Sequence, residues 1–351
     1  MKILQRYVLH ELFFPFLFGI AIFTFIFTMD IILQLNDLYF TKKVEIGLIF
    51  RLFVYHLPAT FAITIPMAVL LSNLISFSRL KQENEITAML GSGINLNPLI
   101  FTIVIASLLL SGGMAIFNNT ILPAANHLFK KGYNRIPNLF LNEQKFIGDG
   151  NRVFFIDRLR KRGNNLWQGK GIYIYEKEGN KNIFAKQAIF NFDRALLTLE
   201  DGVTHQMEGK SYRTLNFERQ EIKLDLGDSG REATRGLSEM TGGELKKRIK
   251  EWKGTKGAPN FLLIELHKRS SIAFSCVAFT LIGIPIGLLT KKGKGVGFGI
   301  SVLLIFIYYL LYIIGETLGR RGTIHPILSM WMPNMIVGGI GVFLIAKTIR
   351  R

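Results

Sequence analysis

Cysteine is almost absent from this chain. Its 351 residues include one, Cys276, which excludes an intramolecular disulfide and a metal site built from several thiolates. The six histidines show no metal-ligand spacing, and no H-E-x-x-H or G-x-S-x-G motif occurs. The sequence therefore carries no sign of a metalloprotease or a serine hydrolase.

Charged residues are also scarce. They make up 19% of the chain, whereas 49% of its residues are hydrophobic and 29 are phenylalanine; an average soluble protein has about 25% charged residues. Six apolar runs are each long enough to cross a hydrocarbon core of about 30 Å as a helix. The pattern predicts an α-helical integral membrane protein with six transmembrane helices, three in each half. The runs lie near Leu12–Leu35, Leu48–Phe77, Pro98–Asn118, Ile272–Leu289, Val296–Ile314 and Ile327–Ile345.

Acidic residues number 25 against 43 basic ones, and the formal net charge is +18. Such an excess can serve nucleic-acid binding, but here several basic clusters stand at the ends of apolar runs. With six spans these clusters fall on one side of the membrane, which the positive-inside rule makes cytoplasmic. We expect both termini in the cytoplasm, the middle segment on the opposite side, and no nucleic-acid partner. The clusters are Lys2 and Arg6; Arg79 and Lys81; Lys291, Lys292 and Lys294; and Lys347, Arg350 and Arg351.

The segment between the two hydrophobic blocks is charged and rich in turn residues, so it must fold in water. Short β-branched and aromatic stretches predict antiparallel strands in an inserted, all-β, jelly-roll-like domain. Glu244–Trp252 then predicts a short helix with Thr241 as its capping-box residue. The strands are predicted at Val153–Ile156, Gly171–Tyr175, Ile183–Phe192, Ala195–Glu200, Tyr212–Phe217 and Glu221–Leu226.

The predicted organisation has four parts. Residues 1–122 hold the first three transmembrane helices, and residues 259–351 hold the other three. The β-domain occupies residues 123–240, and a short connecting helix with its linker occupies residues 241–258. The first run is much longer than the apolar core of a cleavable signal peptide, so we interpret it as a retained span.

A short amphipathic helix is predicted at about residues 79–90, between the second and third spans. Its apolar positions include Ile86 and Met89, and its charged positions include Arg79, Glu83 and Glu85. Such a helix can rest on the bilayer or dock into a groove of a partner protein. The two acidic residues disfavour anionic lipid and favour a basic protein groove.

Three titratable residues lie in or near the apolar runs. Asp30 stands within the first run, and His56 and Glu316 are in the second run and just after the fifth. An ionisable group in a membrane is expensive and is a functional candidate by default. An interfacial or packing role is the alternative for each of them.

The string from Glu83 to Gly93, ENEITAMLGSG, resembles the cytoplasmic helix of the YjgP/YjgQ permeases, the LptF/LptG family. The similarity covers nearly the whole chain, and it leans towards LptF on Glu85–Ala88 and on Leu122–Asn126. The order of the matching strings around a β-domain is more specific than any one of them. Further matches are Arg6–Val8, Pro66–Leu71, Glu265–Arg269, Gly283–Gly287 and Trp331–Asn334.

The resemblance implies a subunit of an ABC transporter in a bacterial inner membrane, with a periplasmic β-jelly-roll. It implies a second LptF/LptG-type permease and a cytoplasmic LptB-like ATPase dimer that uses ATP. It also implies an LptC/LptA-like periplasmic bridge protein and lipopolysaccharide as the substrate. On this reading the coupling residues towards the ATPase are Arg79, Glu83, Glu85 and Met89, and Glu85 pairs with a basic residue of the ATPase groove.

A phosphorylated glycolipid requires an apolar cavity with cations at its rim. Lys42 and Lys43, just outside the first span, are candidates for binding its phosphates, as are Arg320 and Arg321 after the fifth. Ordinary interfacial anchoring explains each pair equally well. We also expect acyl-chain contacts at inward-facing positions of the β-domain and a substrate contact in the first span. Phe155 and Ile174 represent the positions in the β-domain, and Asp30 is the residue in the first span.

Energy must come from a partner, because no G-x-x-x-x-G-K-[ST] motif is present to bind ATP phosphates. We therefore expect no cofactor on this chain itself and no catalytic residue. Two alternatives stay open: an intramembrane lipid-modifying enzyme using Asp30, His56 or Glu316, and a membrane scaffold that transports nothing. Co-purification of an ATPase and a second permease would separate the transporter from both.

Overall fold

A computed structural model describes most of the chain and divides it into two units. The helical unit comprises Met1–Asp37, Ile46–Lys130 and Arg235–Arg351, and the sheet unit comprises Leu38–Glu45 and Lys131–Thr234. The described residues are 2–40, 44–134, 146–148, 152–161, 166–176, 181–191, 196–208, 211–223, 236–253, 259–290 and 294–349. The predicted site residues Lys42 and Lys43 lie outside these ranges.

Six helices of the described residues are long and apolar enough to cross a membrane, which confirms the predicted spans. Two shorter helices, α3 and α5, accompany them. The third span extends beyond its apolar run, to Asn134. The helices are α1 Lys2–Phe40, α2 Ile46–Gln82, α3 Glu85–Gly91, α4 Asn97–Asn134, α5 Gly242–Lys253, α6 Asn260–Leu289, α7 Lys294–Arg320 and α8 Pro326–Ile349.

Helix α6 is the centre of the helical unit, and glycines let its neighbours approach it closely. A Cβ atom added to Gly287 would lie 2.8 Å from the Cβ of Phe77 on α2. On the α8 side, a Cβ atom added to Gly341 would lie 2.5 Å from the backbone carbon of Leu281. In lipid no hydrophobic force drives helices together, so close packing of this kind supplies much of the association energy.

Hydrogen bonds between helices supplement this packing. The amide of Asn334 on α8 donates to the carbonyl of Ser271 on α6 at 2.8 Å, and its oxygen accepts from Tyr308 on α7 at 2.9 Å. The hydroxyl of Ser72 on α2 donates to the carbonyl of Leu12 on α1 at 2.6 Å. These bonds fix which faces of the helices meet, because an unpaired polar group in this environment is costly.

Large apolar side chains cover the outward faces of α1, α4, α7 and α8. Soluble monomers rarely expose apolar patches of such extent, and contact with lipid accounts for them. Examples on the four helices are Phe25, Leu109, Phe306 and Phe343.

The described residues of the sheet unit form six antiparallel strands in consecutive order, which confirms the inserted β-domain. The connectivity is therefore that of a meander. Two strands predicted separately, Tyr212–Phe217 and Glu221–Leu226, merge into one. The strands are β1 Phe146–Gly148, β2 Arg152–Lys161, β3 Leu166–Glu176, β4 Lys181–Asn191, β5 Leu196–Glu208 and β6 Ser211–Lys223.

A transverse crease crosses strands β2 to β6. At one position in every strand the pairing is interrupted, and the alternation of buried residues shifts by one, as from Gly169 to Ile172 in β3. Two of the crease residues have positive φ, Gly171 at 64° and Asp201 at 51°. The crease thereby keeps the same face of the sheet buried on both sides of the bend. The residues in this row are Asp157, Gly171, Lys186, Asp201 and Glu218.

The glycines around α6 allow a matched test within one helix. Gly341→Ala forces a methyl group into the backbone of Leu281 and should cost about 1–3 kcal/mol, as overpacking does. Gly339→Ala is the control, because a Cβ atom there meets no other heavy atom within 4 Å. Thermal unfolding of the purified protein in detergent should show a lower midpoint for Gly341→Ala only. Equal midpoints would show that α6 and α8 do not depend on this contact.

Candidate functional site

Helix α3 is a short platform at one end of the helical unit, following a sharp break after α2. The chain turns at Asn84, whose φ of 58° is left-handed, and α3 then runs from Glu85 to Gly91. Ile86 and Met89 are buried on its inner face. They join a cluster with residues from α1, α2, α4 and α6, so α3 is packed on four transmembrane helices. Those residues are Val8, Phe77, Leu80, Leu99, Ile100, Ile103, Ile284 and Leu288.

Two polar links tie α3 and the end of α2 to α1. The Tyr7 hydroxyl lies 3.1 and 3.0 Å from the two carboxylate oxygens of Glu85 and donates to them. The Arg79 guanidinium contacts Glu11 at 2.8 Å and Glu83 at 3.3 Å. The acidic residues of this segment therefore have partners within the chain.

The four residues predicted to couple to an ATPase lie close together in the structure, but their side chains make different contacts. Met89 packs inward, Glu85 accepts from Tyr7, and Arg79 and Glu83 pair with each other. The outward face of α3 instead carries residues that the prediction left out as candidates. Chief among them is Leu90, whose exposed fraction is 54%. Helical phase could not have identified it, because Leu90 stands four residues after Ile86 and belongs by spacing to the same apolar stripe.

A groove of about 810 Å³ lies between α1, α2 and α7, next to the Arg79–Glu11 ion pair. Its walls are mainly aromatic and aliphatic, and its charged groups lie at one side. The prediction missed His10 and Glu11 in this groove, because both precede the apolar run and resemble ordinary flanking residues. The lining residues are His10, Glu11, Phe14, Pro15, Phe18, Ile22, Ile75, Arg79 and Phe298.

At the other end of the helical unit, Glu316 links two cations. Its carboxylate accepts from Arg320 at 2.6 Å and from Lys268 at 3.3 Å. Arg320 and Arg321 are both exposed. The predicted Arg320 thus lies in an ion pair with Glu316, whereas Lys268 was not foreseen as its second partner.

Asp30 and His56 lie near enough to each other to interact electrostatically. Asp30 is exposed and accepts a hydrogen bond from Gln34 at 2.8 Å, and the His56 ring lies 5.6 Å from that of Phe129. Glu316 lies elsewhere, in its own ion pairs. The three residues do not form one catalytic group.

In the sheet unit, the two predicted lipid-contact residues lie on opposite faces. Ile174 is fully buried in the core, as expected. Phe155 pairs with Tyr173 and belongs to the other face, whereas its neighbours Phe154 and Ile156 are buried with Ile174. The prediction therefore had the phase of β2 wrong by one residue.

A second polar cluster, not predicted, holds the segment that returns from the sheet unit to α6. Glu239 is buried and accepts from Lys130 at 2.6 Å and from His127 at 3.0 Å, both on α4. Burial raises the pKa of the Glu239 carboxyl, but these hydrogen bonds and the Lys130 charge outweigh burial and hold the pKa below its ordinary value. Arg269 of α6 is also buried and donates to the carbonyls of Met240 and Leu237 at 2.6 and 2.8 Å.

Among the described residues no group of three or more histidine, cysteine, aspartate or glutamate side chains could hold a metal ion. The fold and these polar links define a multi-pass membrane protein with an inserted β-domain and a packed platform helix.

The family model for the lipopolysaccharide export system permease LptF/LptG matches residues 6–347, and the chain belongs to this family. The comparison with curated proteins gave no match. The predicted resemblance is confirmed, and since the model covers both permeases it does not separate LptF from LptG. Members of the family are permeases, which sets aside the enzyme and scaffold alternatives.

The hydrogen bond from Tyr7 to Glu85 should stabilise the attachment of α3 to α1. Tyr7→Phe removes the hydroxyl donor and should weaken the attachment of α3 by about 1 kcal/mol, or about fivefold in local opening. Hydrogen exchange of amides 85–92 should be faster in this variant. Tyr39→Phe, at an exposed tyrosine of the same helix, is the control. Unchanged exchange in Tyr7→Phe would show that apolar packing alone holds α3.

The Glu239 cluster predicts a pH dependence of stability. Because its pKa is lowered on folding, its contribution is complete above pH 4.5, the ordinary value, and is lost as the pH falls through the lower folded-state value. Glu239→Gln should destabilise the protein by about 1.5–3 kcal/mol at neutral pH and by less in acid. The unfolding midpoints of the unmodified chain and of Glu239→Gln, measured from neutral pH into acid, should converge as the pH falls. A constant difference would contradict the assignment.

Proposed function

We propose that this chain is one permease of an ABC transporter that extracts lipopolysaccharide from the inner membrane and passes it through its β-domain to an LptC/LptA-like bridge. An LptB-like ATPase dimer supplies the energy, and a second LptF/LptG-type permease completes the membrane part. The observation that carries the proposal is the family match along nearly the whole chain, together with a platform helix whose outer face is unoccupied by described residues.

The α3 end of the helical unit faces the cytoplasm in this proposal. Arg79 and Lys81 stand beside α3, and Lys347 lies near the end of α8 on the same side of an alternating six-span path. Positive residues next to spans favour the cytoplasmic side. Both termini are then cytoplasmic, and the sheet unit, inserted between α4 and α6, is periplasmic.

The ATPase docks on the outer face of α3. Exposed Leu90, beside Thr87 and Ala88, supplies an apolar contact, and the inner face transmits the displacement. Ile86 and Met89 are packed on α1, α2, α4 and α6, so α3 cannot move without loading those helices. Glu85, which the sequence suggested as a direct contact, acts through Tyr7 as a positioning residue on this geometry.

The groove between α1, α2 and α7 suits the acyl chains of the substrate. Its walls are apolar, while the Arg79–Glu11 pair and His10 lie at one side. At the opposite end of the helical unit, the positive charges around Glu316 outnumber its single negative charge. Lys268, Arg320 and Arg321 there are the described residues able to bind sugar phosphates, and Lys42 and Lys43 are proposed to assist them.

Within the sheet unit the buried face is the proposed path for acyl chains. Each methylene exposed to water costs about 0.8 kcal/mol, so a lipid leaving the membrane needs apolar shelter. Ile174 lies on this face, and Phe154 replaces Phe155 as its neighbour. The crease brings both halves of each strand to the same core.

Leu90 provides the test of docking. Leu90→Arg should leave the isolated chain folded, because the side chain is exposed, but it should place a desolvated charge in the proposed interface. We expect at least a tenfold loss of ATPase co-purification, which corresponds to about 1.4 kcal/mol. Leu215→Arg on β6 is the matched control, since both leucines have an exposed fraction of 54%.

Three results are possible in that experiment. Loss of the ATPase in Leu90→Arg alone, with unchanged thermal stability, supports docking at α3. Retention of the ATPase in both variants would refute the α3 interface. Loss in both variants would indicate a general effect of an added surface charge.

A further inference from the structure

Helix α5 connects the sheet unit to α6 and has an unusual division of its surface. Leu245 and Ile249 are buried against Leu262 of α6. Gly242, at its start, approaches α4 closely, since a Cβ atom there would collide with Oδ1 of Asn119. The helix is therefore fixed to the helical unit by one face, and the opposite face is exposed.

Lysines outnumber carboxylates on the exposed surface of α5. Lys246, Lys247 and Lys250 are exposed and lie on one flank of the helix, within about 100° of each other at 3.6 residues per turn. Glu244 and Glu251 border this flank, since they stand three residues before and four residues after Lys247. Glu244 also completes a capping box with Thr241.

Among the described residues, no ion pair involves any of the three lysines. The flank thus carries three lysines beside two carboxylates, and no ion pair within the described part of the chain holds any of the three.

The position of α5 relative to the membrane can be derived in two steps, and the first step is the position of α8. The apolar stretch of α8, Pro326–Lys347, has 22 residues, about 33 Å of helix. It needs nearly all of this length to cross a core of about 30 Å. Its first turn therefore lies at the edge of the hydrocarbon.

Contacts transfer this height to α5. Ile264 of α6 packs with Met330, in the second turn of α8, and with Tyr312 of α7. The α6 residues that contact α5 are Leu262, Leu263 and Leu266, which surround Ile264 in sequence. Helix α5 consequently lies at the level of the lipid headgroups, at the end of the helical unit opposite α3.

We infer that the lysine flank of α5 binds the phosphate headgroups of anionic phospholipids in the leaflet on its own side of the membrane. The three lysines, the height of α5 and its packing against the membrane-spanning helix α6 all fit such headgroups. Phospholipid is favoured over the transported glycolipid because α5 contacts α4 and α6, whereas the large apolar groove lies between α1, α2 and α7. The inference does not depend on the proposed transport function.

The test uses the full-length chain in nanodiscs of phosphatidylcholine with phosphatidylglycerol. The variant changes Lys246, Lys247 and Lys250 together to Gln, a good helix former. Its affinity for phosphatidylglycerol, followed by native mass spectrometry, should fall about fivefold for each lysine removed. The difference from the unmodified chain should shrink at high salt. The control changes three exposed lysines of the sheet unit to Gln, namely Lys170, Lys186 and Lys223.

Two outcomes would overturn the inference. Equal retention of phosphatidylglycerol by the α5 variant and the control would show that these lysines bind no phospholipid. A second set of nanodiscs contains lipopolysaccharide; loss of lipopolysaccharide with retention of phosphatidylglycerol would assign the flank to the glycolipid. Unfolding midpoints of both variants must match the unmodified chain, and a lysine-to-arginine version of the α5 variant should restore binding.

Discussion

The close approach of α2 and α8 to α6 is the constraint on which the helical unit depends. Lipid is as apolar as the helices, so their association requires tight contact and hydrogen bonds instead of escape from water. Gly287 and Gly341 allow that contact, and Asn334 adds bonds to Ser271 and Tyr308. The positions of α3 and α5 follow, because both helices pack on α6.

The short helices at the two ends of the helical unit, α3 and α5, are attached to the transmembrane helices in the same way. At each end a short helix buries an apolar face in the bundle while buried or half-buried polar groups set its orientation. Tyr7 holds α3 through Glu85, and Arg269 holds the segment before α5 through backbone carbonyls. A force on α3 therefore reaches several spans at once.

Much of the fold could be predicted because its signals are local. Hydrophobic length marks the spans, and alternation with turn residues marks the strands. The phase error at Phe155 has a physical cause, since Val153–Ile156 is apolar throughout and has no polar position to indicate a face. The strand predicted to end at Glu200 continues to Glu208, because a residue with positive φ followed by glycine, as at Asp201, occurs within a strand as well as in a turn.

The sequence by itself determined the six spans, the inserted β-domain, the charge asymmetry and the family, since each depends on residue order and composition. Only the tertiary structure decided which side chains are available for function. Glu85 and Met89 proved to face the chain's own helices, while Leu90 and the lysines of α5 remained exposed. Helical periodicity defines faces but not their neighbours, and those neighbours come from residues up to hundreds of positions away.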